Sequence, residues 1–162
     1  MRFKTLTLLV AGTLALVSRN ASAQELITQK ALSLDVAMGI AQGALAQCRA
    51  DGFHVTVTIV DGTGTTKLQL HDDGAAPHTK DFSRRKAYSA FTFRRTSAAT
   101  GKAWADAPPA PNIQDAVGTA GGVPIKAGDI VIGGIGVSGA PGGDKDEVCA
   151  NAGIAKMAAK LK

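Results

Sequence analysis

Apolar and polar residues alternate along this chain with two different periods, which predict helices separated by strand pairs. From Ser33 to Gly52 the apolar residues recur every three to four positions, with Ser33 as N-cap and Gly52 as terminator of a helix. The segment HVTVTIVDGTGTTKLQLH alternates around a DGTG turn, which predicts a β-hairpin. A second helix is predicted from a cap at Thr79 to about Arg95, and a last one from Asp144 almost to the end.

A second hairpin is predicted in GGVPIKAGDIVIGGIGVSG, turning at KAGD. Its second strand contains Gly133, Gly134 and Gly136, and glycine inside a strand often marks the close approach of a ligand or another backbone. The stretch from Trp104 to Thr119 is rich in proline, alanine and polar residues and predicts a loop with at most a short helix or weak strand. The resulting order of helices and hairpins predicts a single α+β domain, an antiparallel sheet flanked by helices.

The first 23 residues have the organisation of a secretory signal peptide. A basic start, MRFK, precedes an apolar run from Leu6 to Val17 that is too short to span a bilayer, and ASA offers a small-residue cleavage site. The domain would then comprise residues 24–162, exported to the periplasm or outside the cell. Removing residues 1–23 lowers the formal net charge from +5 to +2, so nothing in the charge favours nucleic acid.

Two cysteines, Cys48 and Cys149, would then meet an oxidising compartment that permits a disulfide. Cys48 lies in the apolar stripe of its helix, where a buried thiol is the alternative. On the last helix, Cys149 is expected to point away from a stripe formed by Val148, Ala152, Ala155 and Ala159. Because Ile154, Met157 and Leu161 form a second apolar side, we expect this helix to pack against another copy of the chain.

The glycines before the last helix spell G-x-G-x-x-G at Gly134, Gly136 and Gly139, but a dinucleotide site is excluded. A Rossmann fingerprint requires a further parallel strand and an acidic residue about 20 positions later, and here the chain ends after the helix. Asp144 and Glu147 have the spacing of a capping box and place carboxylates where a phosphate would bind. The stretch therefore predicts a strand-to-helix connection.

Four motifs in order resemble the GlcG/HbpS family: SLDVAMGIAQGALAQCRADG, VTVTIVDGTG, DDGAAPHTKDFSRRKAYSAFTFRRTS and GGVPIKAGDIVIGGIGVSGAPGGDKDEVCANAGI. The resemblance covers nearly all of residues 24–162. It implies a profilin-like fold, a symmetric homo-oligomer and the binding of haem or a related tetrapyrrole. Members of this family are described as haem-binding, haem-degrading or redox-sensing.

A haem site needs an apolar slot, cations for two propionates and usually an axial ligand. The segment around KAYSA offers His78, Tyr88 and Thr96 as ligands, His78 being the first choice for the iron, and the resemblance adds Gly122 and Pro124 of GGVPI. His54 and His71 are expected to be solvated. The predicted slot is lined by Phe91, Phe93, Val123 and Ile125, and the predicted cations are Arg84, Lys86, Arg94 and Arg95. A solvated basic face on the helix is the alternative.

The sequence therefore favours an exported protein that senses, sequesters or slowly degrades haem. It contains no nucleophile elbow, paired-carboxylate motif or metal triad, so any degradation would rely on the oxygen chemistry of the iron. Two alternatives stay open: a redox-responsive interaction module for a membrane sensor, and a binder of another small ligand.

Overall fold

A computed structural model describes residues 26–107 and 113–162. The predicted signal peptide, residues 1–23, lies outside the described residues, as does the part of the predicted Trp104–Thr119 loop at residues 108–112. Within the described ranges, no helix combines the length and the apolar character that crossing a membrane requires.

The described chain forms four α-helices and a four-stranded antiparallel sheet. The elements are α1 (Leu34–Ala50), β1 (Thr56–Val60), β2 (Thr66–His71), α2 (Thr79–Phe93), α3 (Ser97–Asp106), β3 (Gly122–Ala127), β4 (Ile130–Ser138), α4 (Gly143–Lys156) and a 3₁₀ turn (Ala158–Lys160). The strands lie in the order β2-β1-β4-β3. The α+β class and both predicted hairpins are confirmed, and helix α3, which begins at the cap Thr96, is an additional element that the sequence patterns did not predict.

Helices α1 and α4 pack together on one face of the sheet and enclose the hydrophobic core. Alternate residues of each strand point to this face because successive side chains of a strand alternate between the two faces. Val57, Ile59, Ile135 and Val137 meet Ile40 of α1 there, and all five are fully buried. Each such aliphatic side chain contributes about 1.5–3 kcal/mol on burial.

Helix α2 covers the opposite face of the sheet at very short range. Gly122, Gly134 and Gly136 face it, and a methyl group on any of them would overlap a carbonyl oxygen of the helix. The close approach expected at Gly134 and Gly136 is therefore explained by another backbone, that of α2. The overlapped carbonyls belong to Lys86, Ala87 and Ser83.

Three predicted helix ends need correction. Thr79 is the first residue of α2 and His78 occupies the N-cap position, and the helix ends at Phe93 because Arg94 adopts a left-handed conformation with φ of 54°. Helix α4 begins at Gly143 after Gly142 at the N-cap position, and no side chain caps it. The capping role predicted for Asp144 is therefore wrong, whereas α1 is capped by Ser33 as predicted.

The predicted apolar sides of α4 are also wrong. Val148 is 56% exposed, and the buried residues of the helix include Cys149, Ala150 and Gly153. The second predicted side, represented by Ile154, packs against the core of its own chain, so it does not need a partner. Cys149 points inward, on the same side of α4 as Gly153 one turn later, where the absence of a side chain lets α4 lie against the backbone of α1 at Ile40.

In the structure Cys48 of α1 and Cys149 of α4 are joined by a disulfide. Their Cα atoms are 5.5 Å apart, and both residues are fully buried. The bridge closes a separation of 101 residues, and it therefore connects the first and last long helices across the core.

Candidate functional site

A cleft of about 360 Å³ opens where the start of α2, the end of β4 and the start of α4 meet. The sheet ends here, and the glycine-rich connection from β4 to α4 leaves room beside the first turns of α2. One wall is the aromatic ring of Phe82. The polar wall is formed by His78, Thr79, Lys86, Thr119, Ser138 and Asp146.

A buried ion pair forms the floor of this cleft. Lys86 Nζ donates to Asp146 Oδ2 at 2.7 Å and to the Val137 carbonyl at 2.9 Å, and it lies 5.1 Å from the Phe82 ring centre. Asp146 Oδ1 accepts from the Ala140 N–H at 3.0 Å. Burial raises the pKa of the Asp146 carboxyl, and the hydrogen bond and charge of Lys86 oppose that rise.

Lys86 is therefore a structural cation. Its side chain is 2% exposed and its charge is matched by Asp146, so it is not available to a propionate as the sequence analysis expected. The pair instead ties α2 to α4 at the edge of the cleft. Lys80, the second residue of α2, is exposed and takes part in no ion pair among the described residues.

His78 lies at the mouth of the cleft. The residue is exposed, and its imidazole makes no hydrogen bond or ion pair within residues 26–107 and 113–162. Since neutral imidazole carries one unprotonated ring nitrogen, such a side chain can ligate a metal.

Beside the cleft, two parallel chains of hydrogen bonds run from β2 through β1 into α2. In the first, His71 Nδ1 lies 2.7 Å from Thr56 Oγ1, which lies 2.6 Å from Thr79 Oγ1. Thr79 Oγ1 donates to the Ala76 carbonyl at 2.6 Å. His71 is exposed as expected, but one of its ring nitrogens is held by the protein rather than by water.

The second chain is a copy of the first, two residues along each strand. Gln69 Nε2 donates to Thr58 Oγ1 at 2.8 Å, and Thr58 Oγ1 lies 2.7 Å from Ser83 Oγ. Ser83 Oγ donates to the Lys80 carbonyl at 3.2 Å. Because Thr56 and Thr58 are fully buried, these bonds replace the water that their hydroxyls would otherwise need.

The predicted apolar slot does not exist as one surface. Val123 and Ile125 point to the opposite face of the sheet, into the core under α1 and α4. Phe91 borders a different cleft of about 520 Å³ together with Arg94, and Phe93 packs edge-on against Trp104 with ring centres 5.5 Å apart. Val123 and Ile125 face away from α2 because successive residues of a strand point to opposite sides of the sheet, and their neighbours in β3 are the ones that face the helix.

The remaining predicted cations and oxygens are engaged elsewhere. Arg84 donates to Asp81 at 2.9 Å and to Asp115 at 2.7 Å. Arg95 lies beyond the end of α2, and its Nε donates to Thr100 Oγ1 at 3.2 Å. Thr96 accepts from the backbone of α3 as its N-cap.

The other predicted residues lie along α2 and under it. The Tyr88 ring lies against Gly64 in the β1–β2 turn. Gly122 is buried and its N–H donates to Ser97 Oγ at 2.8 Å, and Pro124 pairs with Gly134 under α2. The 15 residues of α2 span roughly 21 Å at 1.5 Å per residue, so His78 and Phe91 belong to different ends of the helix.

Of the site residues predicted from the sequence, only His78 and Lys86 line the cleft, whereas Phe82, Ser138 and Asp146 line it and were not predicted. Asp146 looked like a helix-end carboxylate, and its spacing from Lys86, 60 residues, carries no local signal. In the described parts of the chain no group of three or more His, Cys, Asp or Glu residues could hold a metal ion.

The fold is that of a known class, a four-stranded antiparallel sheet between helices. The family model described as "Haem degrading protein HbpS-like" matches residues 32–155, and the chain belongs to this family. A crystal structure of HbpS shares 38% sequence identity, with a TM-score of 0.79 over 81% of this chain and 93% of that one.

Two further solved structures extend the comparison. A double mutant of Streptomyces reticuli HbpS is 37% identical, with a TM-score of 0.79 over 90% of this chain and 97% of that one. A PduOC:heme complex shares the fold, with a TM-score of 0.71 and 22% identity over 77% of this chain and 94% of that one. No match was found among curated protein sequences.

Proposed function

We propose that this protein binds haem beside the start of α2, with His78 as an iron ligand. The observation that carries the proposal is membership of the HbpS-like family across residues 32–155. A protein of the same fold has been solved as a complex with haem, which shows that the architecture is compatible with that ligand. The exposed imidazole of His78, which has no hydrogen-bond partner among the residues that the structure describes, gives the proposal its position on this chain.

The residues at the cleft suit the parts of a haem. Of the lining residues, His78 would supply a ligand nitrogen and Phe82 an aromatic surface. Lys80, which does not line the cleft but lies in the same first turn of α2, is an exposed cation for a propionate. Bound haem would supply the iron on which oxygen chemistry can occur. The residues of the chain would hold the haem ring in place. The buried pair of Lys86 and Asp146 fixes the floor of the cleft without offering a free charge.

We also propose that the protein is exported and that it senses, sequesters or slowly degrades haem as a homo-oligomer. The signal-peptide pattern of residues 1–23 supports export, and a disulfide between Cys48 and Cys149 suits an oxidising compartment. A redox-responsive module for a membrane sensor has less support, because both cysteines are fully buried and thiol exchange requires access to a sulfur.

The proposal is tested by titrating the purified protein with hemin and following the Soret band. We expect saturable binding with a defined stoichiometry, weakened in His78→Ala and unchanged in the control His54→Ala, since the His54 side chain lines a separate cleft with Arg49 of α1 and Asp72. Absence of a saturable shift in the unmodified protein would refute haem binding.

Degradation and sequestration are separated by adding ascorbate and oxygen to the loaded protein. Loss of the Soret band with release of iron indicates degradation. A stable spectrum over the same period indicates that the protein only binds.

A further inference from the structure

Ser138, the last residue of β4, is buried, yet its hydroxyl has no hydrogen-bond partner among the residues that the structure describes. The residue is 3% exposed and lines the cleft at the start of α2. Every other buried polar or charged residue of the described chain makes at least one side-chain hydrogen bond. Ser138 is therefore an exception that the packing of the chain does not explain.

The free hydroxyl of Ser138 is open to the cleft. Its side chain points to the same side of the sheet as Gly136 two residues earlier, which is the side that α2 covers. Within the described residues no fully enclosed side-chain nitrogen or oxygen lacks a partner, so the unpaired hydroxyl must be reached from the cleft. A buried polar group that the fold leaves unpaired is available to a ligand.

The N-terminus of α4 opens on the same cleft. Gly143, the first residue of this 14-residue helix, lines the cleft, and no side chain caps the helix. The Gly143 N–H has no hydrogen-bond partner within residues 26–107 and 113–162. Free N–H groups and the positive end of the helix dipole favour an anion at such a position. Two unpaired donors, one from β4 and one from α4, therefore border one cleft.

The charges around the cleft suit a monoanion. Asp144 and Glu147 of the first turn of α4 line a different cleft, beside Ala98 of α3. Among the described residues, Asp146 is the only acid that lines the cleft of Ser138, and its charge is matched by Lys86. A singly charged group would meet donors without an unmatched acid beside it. A phosphate dianion would be repelled more strongly by the carboxylates of the same helix turn.

We propose that the floor of this cleft binds a carboxylate group, with Ser138 Oγ and the Gly143 N–H as its hydrogen-bond donors. The Phe82 ring forms the wall for a planar apolar body attached to that carboxylate. Two sources carry this chemistry: a propionate of haem, and a small free aromatic acid. The first source rests on the proposed haem-binding function, whereas the second is independent of it.

The free-acid source is tested without haem by titrating the protein with benzoate and following the amide NMR signals of Ser138 and Gly143. Benzamide, which has the same shape without the charge, is the neutral probe. We expect saturable shifts of both amides and a clear preference for benzoate. Ser138→Ala should bind benzoate about 10–100-fold more weakly, because a hydrogen bond to a charged group is lost.

The stability of the variants separates a binding role from a structural one. Ser138→Ala should leave the urea midpoint nearly unchanged, because the hydroxyl has no partner among the described residues to lose. Ser83→Ala is the matched control, since Ser83 is a buried serine of α2 that bonds to Thr58 and does not line the cleft. It should lower the urea midpoint and keep the affinity for benzoate.

The haem source is tested with hemin and hemin dimethyl ester, in which both propionates are esterified. If a propionate occupies the site, the unmodified protein prefers hemin to the ester, and Ser138→Ala loses that preference. If hemin and its ester bind equally while benzoate binding depends on Ser138, a free acid is the ligand.

The outcomes separate this proposal from the proposed function. If Ser138→Ala changes neither the preference for benzoate over benzamide nor that for hemin over its ester, the carboxylate site is refuted and haem binding is untouched. If the unmodified protein fails to bind hemin but binds benzoate through Ser138, the proposed function is refuted and the carboxylate site stands. Folding of each variant is checked by circular dichroism.

Discussion

Replacing Lys86 by Met tests whether the floor of the cleft depends on charge pairing. The substitution keeps most of the aliphatic stem but removes the ammonium that donates to Asp146 Oδ2 at 2.7 Å. Asp146 keeps the bond from the Ala140 N–H and is otherwise left as a buried carboxylate, 2% exposed. Removing one partner of a buried ion pair costs about 3–5 kcal/mol, because the remaining charge stays out of water without compensation.

The loss should depend on pH with a definite sign. Burial raises the pKa of Asp146, and Lys86→Met removes the cation that opposes this rise. A carboxyl whose pKa is higher in the folded state binds more protons there than in the unfolded chain. Its contribution to stability is therefore largest below the unfolded value and is lost as the pH rises through the folded value. We expect the variant to be weakest near neutral pH and to recover on mild acidification.

Urea unfolding followed by circular dichroism, at neutral and mildly acidic pH, measures the effect. The double variant Lys86→Met/Asp146→Asn replaces the pair by neutral groups and should recover most of the loss, while Lys80→Met controls for removal of an exposed lysine. A loss below about 1 kcal/mol at neutral pH would refute the argument, since it lies under the range for a broken buried pair. An equal loss at both pH values would refute the role of the Asp146 charge.

Three further predictions concern the fold. Replacing Cys48 and Cys149 together by alanine should lower the unfolding free energy by up to about 4–5 kcal/mol, because the bridge closes a loop of about 100 residues; intact mass with thiol alkylation, before and after reduction, should find no free thiol in protein from an oxidising compartment. Gly136→Ala should cost about 1–3 kcal/mol in thermal or urea unfolding, because its methyl overlaps the backbone of α2, whereas Gly62→Ala, with an ordinary 3.5 Å contact, should be far milder; equal effects would contradict this. The side-chain hydrogen bond from Arg49 lowers the pKa of Asp72. The stabilisation that this carboxylate contributes is therefore present above the ordinary pKa of an aspartate and is lost as the pH falls through the lowered value. Asp72→Asn should flatten the acid side of a plot of unfolding free energy against pH.

Local pattern was sufficient for α1 and for both hairpins. The apolar stripe and the cap at Ser33 are properties of consecutive residues, and so are the alternation of β1 and the turn glycines. Helix α3 was not predicted, although Thr96 is a suitable N-cap. Its last residues, from Trp104, belong to the stretch Trp104–Thr119, whose proline, alanine and polar residues indicate a loop.

The second face of the sheet could not be predicted from alternation. Thr56 and Thr58 look like a water-facing row, yet every residue of β1 is buried. Hydropathy cannot distinguish a hydroxyl bonded to water from one bonded to Thr79 or Ser83. The glycines of β4 did predict a close approach, and only the packed structure showed that the approaching group is the α2 backbone.

The candidate site was the part least accessible to sequence. The basic residues of α2 looked like one cationic surface, but a helix distributes neighbouring residues around its axis and along its length. Arg84 and Lys86 therefore have different partners, and Lys86 meets an acid 60 residues away. The sequence by itself determined the class of fold and the family resemblance, because these follow from ordered local motifs. Which groups line the cleft was decided by contacts between segments distant in the chain.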